Sequence, residues 1–243
     1  MPLAAWLCQT LWFWKASQPD QTVKKILERG RQSPMIEAPR PPRRNEIRQQ
    51  NEALILQAAE KVFAEAGFGG ATMQLIADIA GLPKANLHYY FATKEDLYRR
   101  VVRDIFEIWL QAAETMDMAA GPIEGIGAYI EAKMQISRLH PDGSKVWAYE
   151  VMHGAPVIQD YLETTLRDWT AGRVRLIERW IDEGKMARVD PDHLLYMLWA
   201  TTQHYADFGH QIATLNGGAL SDADWRQATE SVKSMILRGI GAV

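Results

Sequence analysis

The sequence predicts an all-α protein, on three observations. From Glu46 onward apolar residues recur at spacings of three and four, the period of a helix with one buried face. No stretch alternates apolar and polar residues as a half-buried strand would. Glycine and proline clusters cut the pattern into pieces of helix length. The expected arrangement is an N-terminal helix-turn-helix unit of three helices followed by a larger helical domain.

The first helix is expected from about Glu46 to Ala66, with Ile55, Ala58, Ala59, Val62, Phe63 and Ala66 on one face and Gly67 ending it. Thr72 suits the N-cap of a second, two-turn helix that carries Leu75, Ile76, Ile79 and Ala80 inward and stops at Gly81. Pro83 fits the first turn of a third short helix, Pro83 to Tyr90, because proline there forfeits no helical hydrogen bond. Thr93 with Asp96 three residues on reads as the cap of a fourth helix, continuing through Leu97, Val101, Ile105, Ile108 and Trp109. Beyond Met118 helices are expected near 122–139, 144–153, 156–184, 191–213 and 221–240. Gly121-Pro122, Pro141-Asp142-Gly143, Gly154, Asp190-Pro191 and Asn216-Gly217-Gly218 separate them.

Ahead of these helices, residues 1–45 are expected to form a poorly ordered extension, being polar and proline-rich between Pro19 and Pro42. Its apolar run from Leu3 to Trp14 is shorter than the roughly 20 residues a membrane span needs. The expected domains are 1–45, then 46–100, then 101–243. With 47% hydrophobic and 23% charged residues, collagen-like and wholly disordered classes are excluded. A lone cysteine, Cys8, excludes an internal disulfide and points to a reducing cytoplasm. Charge is divided unevenly: up to Arg103 there are 15 basic and 10 acidic residues, and beyond it 12 and 20. A basic half joined to an acidic one suggests that the first half meets a polyanion.

Thr72 to Phe91 has the proportions needed to read duplex DNA: a short helix, a glycine turn, and a second helix small enough for a major groove about 12 Å wide. Near its start that second helix offers Lys84 as a cation, Ala85 as a small residue allowing close approach, and Asn86, whose amide can pair two-pronged with adenine. His88 and Tyr89 can donate to phosphate, and Lys94 brings a charge to a capped helix start. Leu87, Tyr90 and Phe91 read as core. The string Thr72-x3-Ile76-Ala77-x2-Ala80-Gly81-Leu82-x4-Leu87-x-Tyr89-Tyr90-Phe91-x2-Lys94-Glu95-x-Leu97 resembles the DNA-binding signature of the TetR family of bacterial regulators. The resemblance implies a homodimer on a palindromic operator in double-stranded DNA, with a C-terminal domain that receives a small effector. It also implies phosphate contacts from Thr72, Lys84, Tyr89 and Lys94, and base contacts from Pro83, Lys84, Ala85, Asn86 and His88. A basic arm, Arg40 to Arg48, either adds DNA contacts or is a solvated run of charge.

Trp199 and Gln203 are four residues apart and share a helix face. An indole beside an amide can stack a flat heterocycle and meet its adjacent N–H and C=O, although such a pair also suits a plain core. This stretch, with Ile105 to Leu110 and Glu150-Val151-Met152-x-Gly154-Ala155-Pro156, resembles the RutR-like, pyrimidine-responsive group of the same family. That resemblance implies a ligand site of Trp109, Trp199 and Gln203, with Tyr205 and Asp207 as neighbours, and uracil or thymine as effector of a repressor. The long N-terminal extension and the residues from Ser144 to Tyr149 depart from it, which leaves open a dihydropyrimidine or a later metabolite as effector, or an unrelated small hydrophobic or aromatic one. No enzyme motif is present: there is no GxSxG elbow, no GxxxxGK[ST] loop and no GxGxxG after a strand. His204, Asp207 and His210 recur every three residues without an HExxH pattern or a cysteine ligand, so no metal or cofactor is expected.

Overall fold

The computed structural model describes residues 44–242, and within them every regular element is a helix. The apolar run near the N-terminus, and the basic arm up to Arg43, lie outside the described residues. Helix α1, Arg44–Gly70, breaks at Gly67, whose positive φ of 64° is open to glycine at little cost. Helix α2, Met73–Ala80, is capped by the Thr72 hydroxyl, which accepts from the Leu75 N–H at 3.1 Å. Gly81 then turns the chain through the left-handed region, φ 67°, into α3, Lys84–Tyr90. Helix α4, Lys94–Asp117, starts with the full capping box of Thr93 and Asp96.

Two inward faces are corrected. Leu75 and Ile79 are exposed, and α2 buries Met73, Ile76 and Ala77 instead. Residues 73, 76, 77 and 80 form the stripe that meets α1, and 75 and 79 fall on another side of the 3.6-residue period. Ala66 is exposed too, because the break at Gly67 follows it directly.

The chain continues with α5, Pro122–Leu139, and α6, Pro141–Met152, which share His140 as C-cap and N-cap. Next, α7 is assembled from three pieces: Gln159–Tyr161, a π-helical stretch Leu162–Leu166, and Arg167–Asp182. Helix α8 is Pro191–Asp207, α9 is Gly209–Leu215 and α10 is Asp222–Gly239. The helix expected over 191–213 is thus two. At Phe208 the backbone leaves helical geometry, φ −111° and ψ 25°, directly ahead of Gly209, a poor helix residue.

Two apolar cores form. The first joins Ile55, Val62, Phe63, Ile76, Leu87, Leu97 and Phe106 of α1–α4 to Val146 and Trp147 of α6. The second joins Met116, Ile126, Ile130, Ile177, Trp180, Leu195 and Ile236 of α4, α5, α7, α8 and α10. Helix α4 runs through both, so it ties the helix-turn-helix to the larger helical layer. Among the described residues no helix is long and apolar enough to cross a membrane.

Candidate functional site

Burial sorts α3 into an anchor and a free face. Leu87 is fully buried and Phe91 nearly so, which pins the helix from beneath. Pro83, Lys84, Ala85, His88 and Tyr89 are exposed and Asn86 is half-buried, so the residues singled out for DNA lie on or beside the outer face. Tyr89 is 70% exposed, its ring edge-on to Tyr90 at 5.2 Å. The His88 Nδ1 is 3.3 Å from the Ala92 carbonyl, which leaves Nε2 for an outside partner.

Lys94 has a structural role that its position in the motif does not reveal. Its ammonium donates to the carbonyls of Phe68 at 2.7 Å and Ala71 at 2.9 Å, and lies 4.3 Å from the Phe68 ring centroid. Two of its three N–H groups therefore fasten the turn between α1 and α2. Lys94→Ala is expected to lower the unfolding free energy by about 1–3 kcal/mol, besides weakening DNA binding. Lys84→Ala, whose side chain is exposed, is expected to change stability by less than about 0.5 kcal/mol. Denaturant melts of the two variants check the contrast, and equal stability would leave Lys94 without this role.

The second site is a cavity of about 70 Å³ among α4, α5, α6, α7 and α8. Its wall holds Trp109, Trp199 and Gln203, together with Phe106, Leu110, Tyr129, Lys133, Trp147, Leu166 and Trp169. Phe106 and Trp147 stack with centroids 5.1 Å apart and planes 2° apart, and Trp109 meets Trp147 edge-on at 5.2 Å. The Trp199 indole N–H donates to the Tyr129 hydroxyl at 3.0 Å. Burial pushes that phenol well above its ordinary pKa, so it keeps its own proton. Gln203 has no hydrogen-bond partner among the described residues, and its amide is free for a guest.

Tyr205 is not part of this wall. It lies about 240° around the helix from Trp199, and packs 5.8 Å from Trp225 of α10. Asp207 stands one turn beyond Gln203, behind the wall, where it accepts from the Ser144 hydroxyl at 2.6 Å. Burial raises its pKa, against the pull of Ser144, Lys133, Lys145 and His204.

Lys133 is the residue that sequence reasoning missed. It is 1% exposed, with its ammonium 4.1 Å from the Trp109 ring centroid. Burial pushes its pKa down from 10.5 to about 7, with Asp207 opposing the shift. A signal was present: Lys133 falls on the apolar stripe of Ile126, Tyr129, Ile130 and Met134, where a charge has no packing reason to be.

Helix α6 connects the two sites. At its start the Gly143 N–H donates to Glu60 Oε1 of α1 at 2.7 Å, while Ser144 holds Asp207 of α8. Burial raises the Glu60 pKa, and the Gly143 hydrogen bond opposes it. A Cβ on Gly143 would lie 3.0 Å from Glu60 Oε1 and 3.1 Å from Ile105 Cδ1, so any larger residue would push these two side chains aside by a few tenths of an ångström. At the other end buried Glu150 accepts from the Tyr98 hydroxyl at 3.0 Å and from the Val157 N–H at 2.6 Å. Between these ends Trp147 forms part of the cavity wall.

A third feature is apolar and outward. Met197 of α8 and Met235 of α10 are 54% and 66% exposed along a groove that also includes Val189, Leu194 and Ile236.

Comparison with known proteins agrees with this layout. Residues 55–101 match the family described as "Bacterial regulatory proteins, tetR family", and residues 102–243 match "YcdC-like protein, C-terminal region". The HTH-type transcriptional regulator RutR of Escherichia coli strain K12 is 40% identical over 187 residues, which are 76% of this chain and 88% of that one. The HTH-type transcriptional repressor KstR2 of Mycolicibacterium smegmatis is 25% identical over 164 residues, 64% of this chain and 79% of its own. Among solved structures, the ketosteroid transcriptional regulator KstR2 of Mycobacterium tuberculosis superposes with a TM-score of 0.64 at 22% identity, covering 78% of this chain and 94% of that one. SCO4942 of Streptomyces coelicolor gives 0.63 at 18% identity, covering 79% and 99%. At such identities these two structures speak for the fold alone.

Proposed function

The chain belongs to the TetR family of bacterial transcriptional regulators, and from that premise we propose that it is a cytoplasmic repressor released from a palindromic operator by a small flat heterocycle such as uracil or thymine. The observation that carries the reading is the free Gln203 amide in a small cavity walled by Trp109, Trp147, Trp169 and Trp199. An indole face can stack a flat ring, and an amide meets adjacent N–H and C=O groups on its edge.

In this reading the exposed face of α3 enters the major groove, with Thr72, Lys84, Tyr89 and Lys94 at phosphates and Pro83, Ala85, Asn86 and His88 at the bases. TetR regulators act as dimers, and the groove around Met197 and Met235 is the face proposed to meet a second copy. Effector binding shifts the equilibrium only as far as it prefers one arrangement of the two heads. Helix α6 is suited to transmit that preference, since it carries Trp147 at the cavity and is held by Glu60 and Tyr98 of the head.

The test starts from an operator selected out of random duplex DNA with the purified full chain. Uracil or thymine is expected to release it, and Gln203→Ala to weaken that response by about 10- to 100-fold with operator affinity unchanged. Release by an unrelated aromatic compound, with no response to either pyrimidine, would favour the alternative effector class.

A further inference from the structure

We propose that Lys133 is the charged anchor of the cavity, so that effectors must bring an oxygen acceptor, a ring carbonyl or a carboxylate, against its ammonium. The inference rests on the reading of this cavity as the effector site and adds the chemical class that the site selects.

Among the residues lining the cavity Lys133 alone carries a charge, and it is 1% exposed. The Trp109 face 4.1 Å away stabilises a cation but offers no lone pair to an N–H. Asp207 attracts the ammonium from behind the wall, yet its Oδ1 already accepts from Ser144. Among the described residues no oxygen accepts from the Lys133 ammonium. The Tyr129 hydroxyl, one turn earlier on the same helix, accepts from the Trp199 indole N–H and not from Lys133.

A buried ammonium lacking an acceptor is costly, and a guest oxygen in the cavity would remove that deficit. Gln203 on α8 and Lys133 on α5 then grip two separate points of one ring, while the indoles hold its faces. Cationic rings are repelled, and apolar rings of the same size bring the ammonium no oxygen acceptor.

Calorimetric titration of the full chain and of Lys133→Met at pH 6, where the ammonium is the main form, tests this. The probes are uracil, the two pyrimidinones that each lack one of its carbonyl oxygens, benzoate and benzene. Lys133→Met is expected to bind uracil about 10- to 100-fold more weakly. In the unaltered protein one of the two pyrimidinones is expected to bind as weakly as uracil binds the variant, and the variant no longer tells that pyrimidinone from uracil. Equal uracil affinity in the two proteins overturns the proposal. If uracil gives no heat with the unaltered protein, the pyrimidine reading fails by itself and benzoate decides. A preference for benzoate over benzene that vanishes in Lys133→Met then upholds the anchor; indifference between the two, or no binding of either, overturns it. Circular dichroism confirms that the variant is folded, and Lys133→Gln, which keeps a neutral donor, is expected to recover part of the lost affinity.

Discussion

Lys133→Met is expected to raise stability by about 1–4 kcal/mol, although it damages the cavity's chemistry. For a chain of this size each kcal/mol moves Tm by roughly 2–4 °C. The ammonium is enclosed by the Trp109 face and by apolar neighbours, and methionine occupies similar space with nothing to solvate. The gain has a pH signature. In the folded chain the Lys133 pKa is lowered to about 7, whereas the ordinary value is 10.5. Between those two values the unfolded chain binds the extra proton, so the stability of the unaltered protein rises with pH across that window. About a unit below pH 7 and lower, the folded protein carries nearly all of the buried charge. The advantage of Lys133→Met is therefore largest near pH 6 and shrinks towards pH 9. Thermal melts at the two pH values, at one protein concentration, check it; a lower Tm in the variant, or a gain independent of pH, would refute the account.

Glu150→Leu is expected to have the opposite sign and comparable size. Glu150 is 3% exposed and satisfies two donors, the Tyr98 hydroxyl and the Val157 N–H. Burial and the neighbouring carboxylate push the Tyr98 pKa far above its ordinary value, so the phenol stays protonated and donates. Leucine would leave both donors without an acceptor, at about 1–3 kcal/mol each. Tyr98→Phe removes one hydrogen bond and leaves Glu150 bonded to Val157, so it should cost only about 0.5–1.5 kcal/mol. Denaturant midpoints of the two variants give the comparison. A Glu150→Leu loss no larger than that of Tyr98→Phe would mean that the Val157 bond contributes nothing. Because this network joins α4 to the end of α6, Glu150→Leu is also expected to blunt the effector's influence on operator binding.

The elements that sequence foresaw most accurately are those whose ends are set within four residues. Thr72, the Thr93–Asp96 pair and Gly81 each act on backbone groups beside them, and each appears where its chemistry requires. Faces were less legible. Leu75 and Ile79 carry apolar side chains that α2, only two turns long, leaves exposed on the head. Of the residues that the resemblance implies for a ligand, Trp109, Trp199 and Gln203 do come together. Spacing alone could have placed Tyr205 on another face, because it is six residues past Trp199. The buried charge at Lys133 was visible as a break in an apolar stripe, but nothing near it in the chain says what it faces.

By itself the sequence determined that the chain is helical, where most of its helices begin and end, and that a helix-turn-helix with an exposed outer face precedes a larger helical layer. Those properties follow from periodicity, capping and turn geometry, all of them short-range. Only the tertiary structure decided that α6 is held by Glu60, Tyr98 and Asp207, that Lys94 fastens the α1–α2 turn, and that Lys133 lies over Trp109 inside an aromatic cavity. These arrangements depend on how α4, α5, α6 and α8 pack against one another. Close packing lets residues remote in sequence share one small space, and burial there changes what a lysine or a glutamate can do.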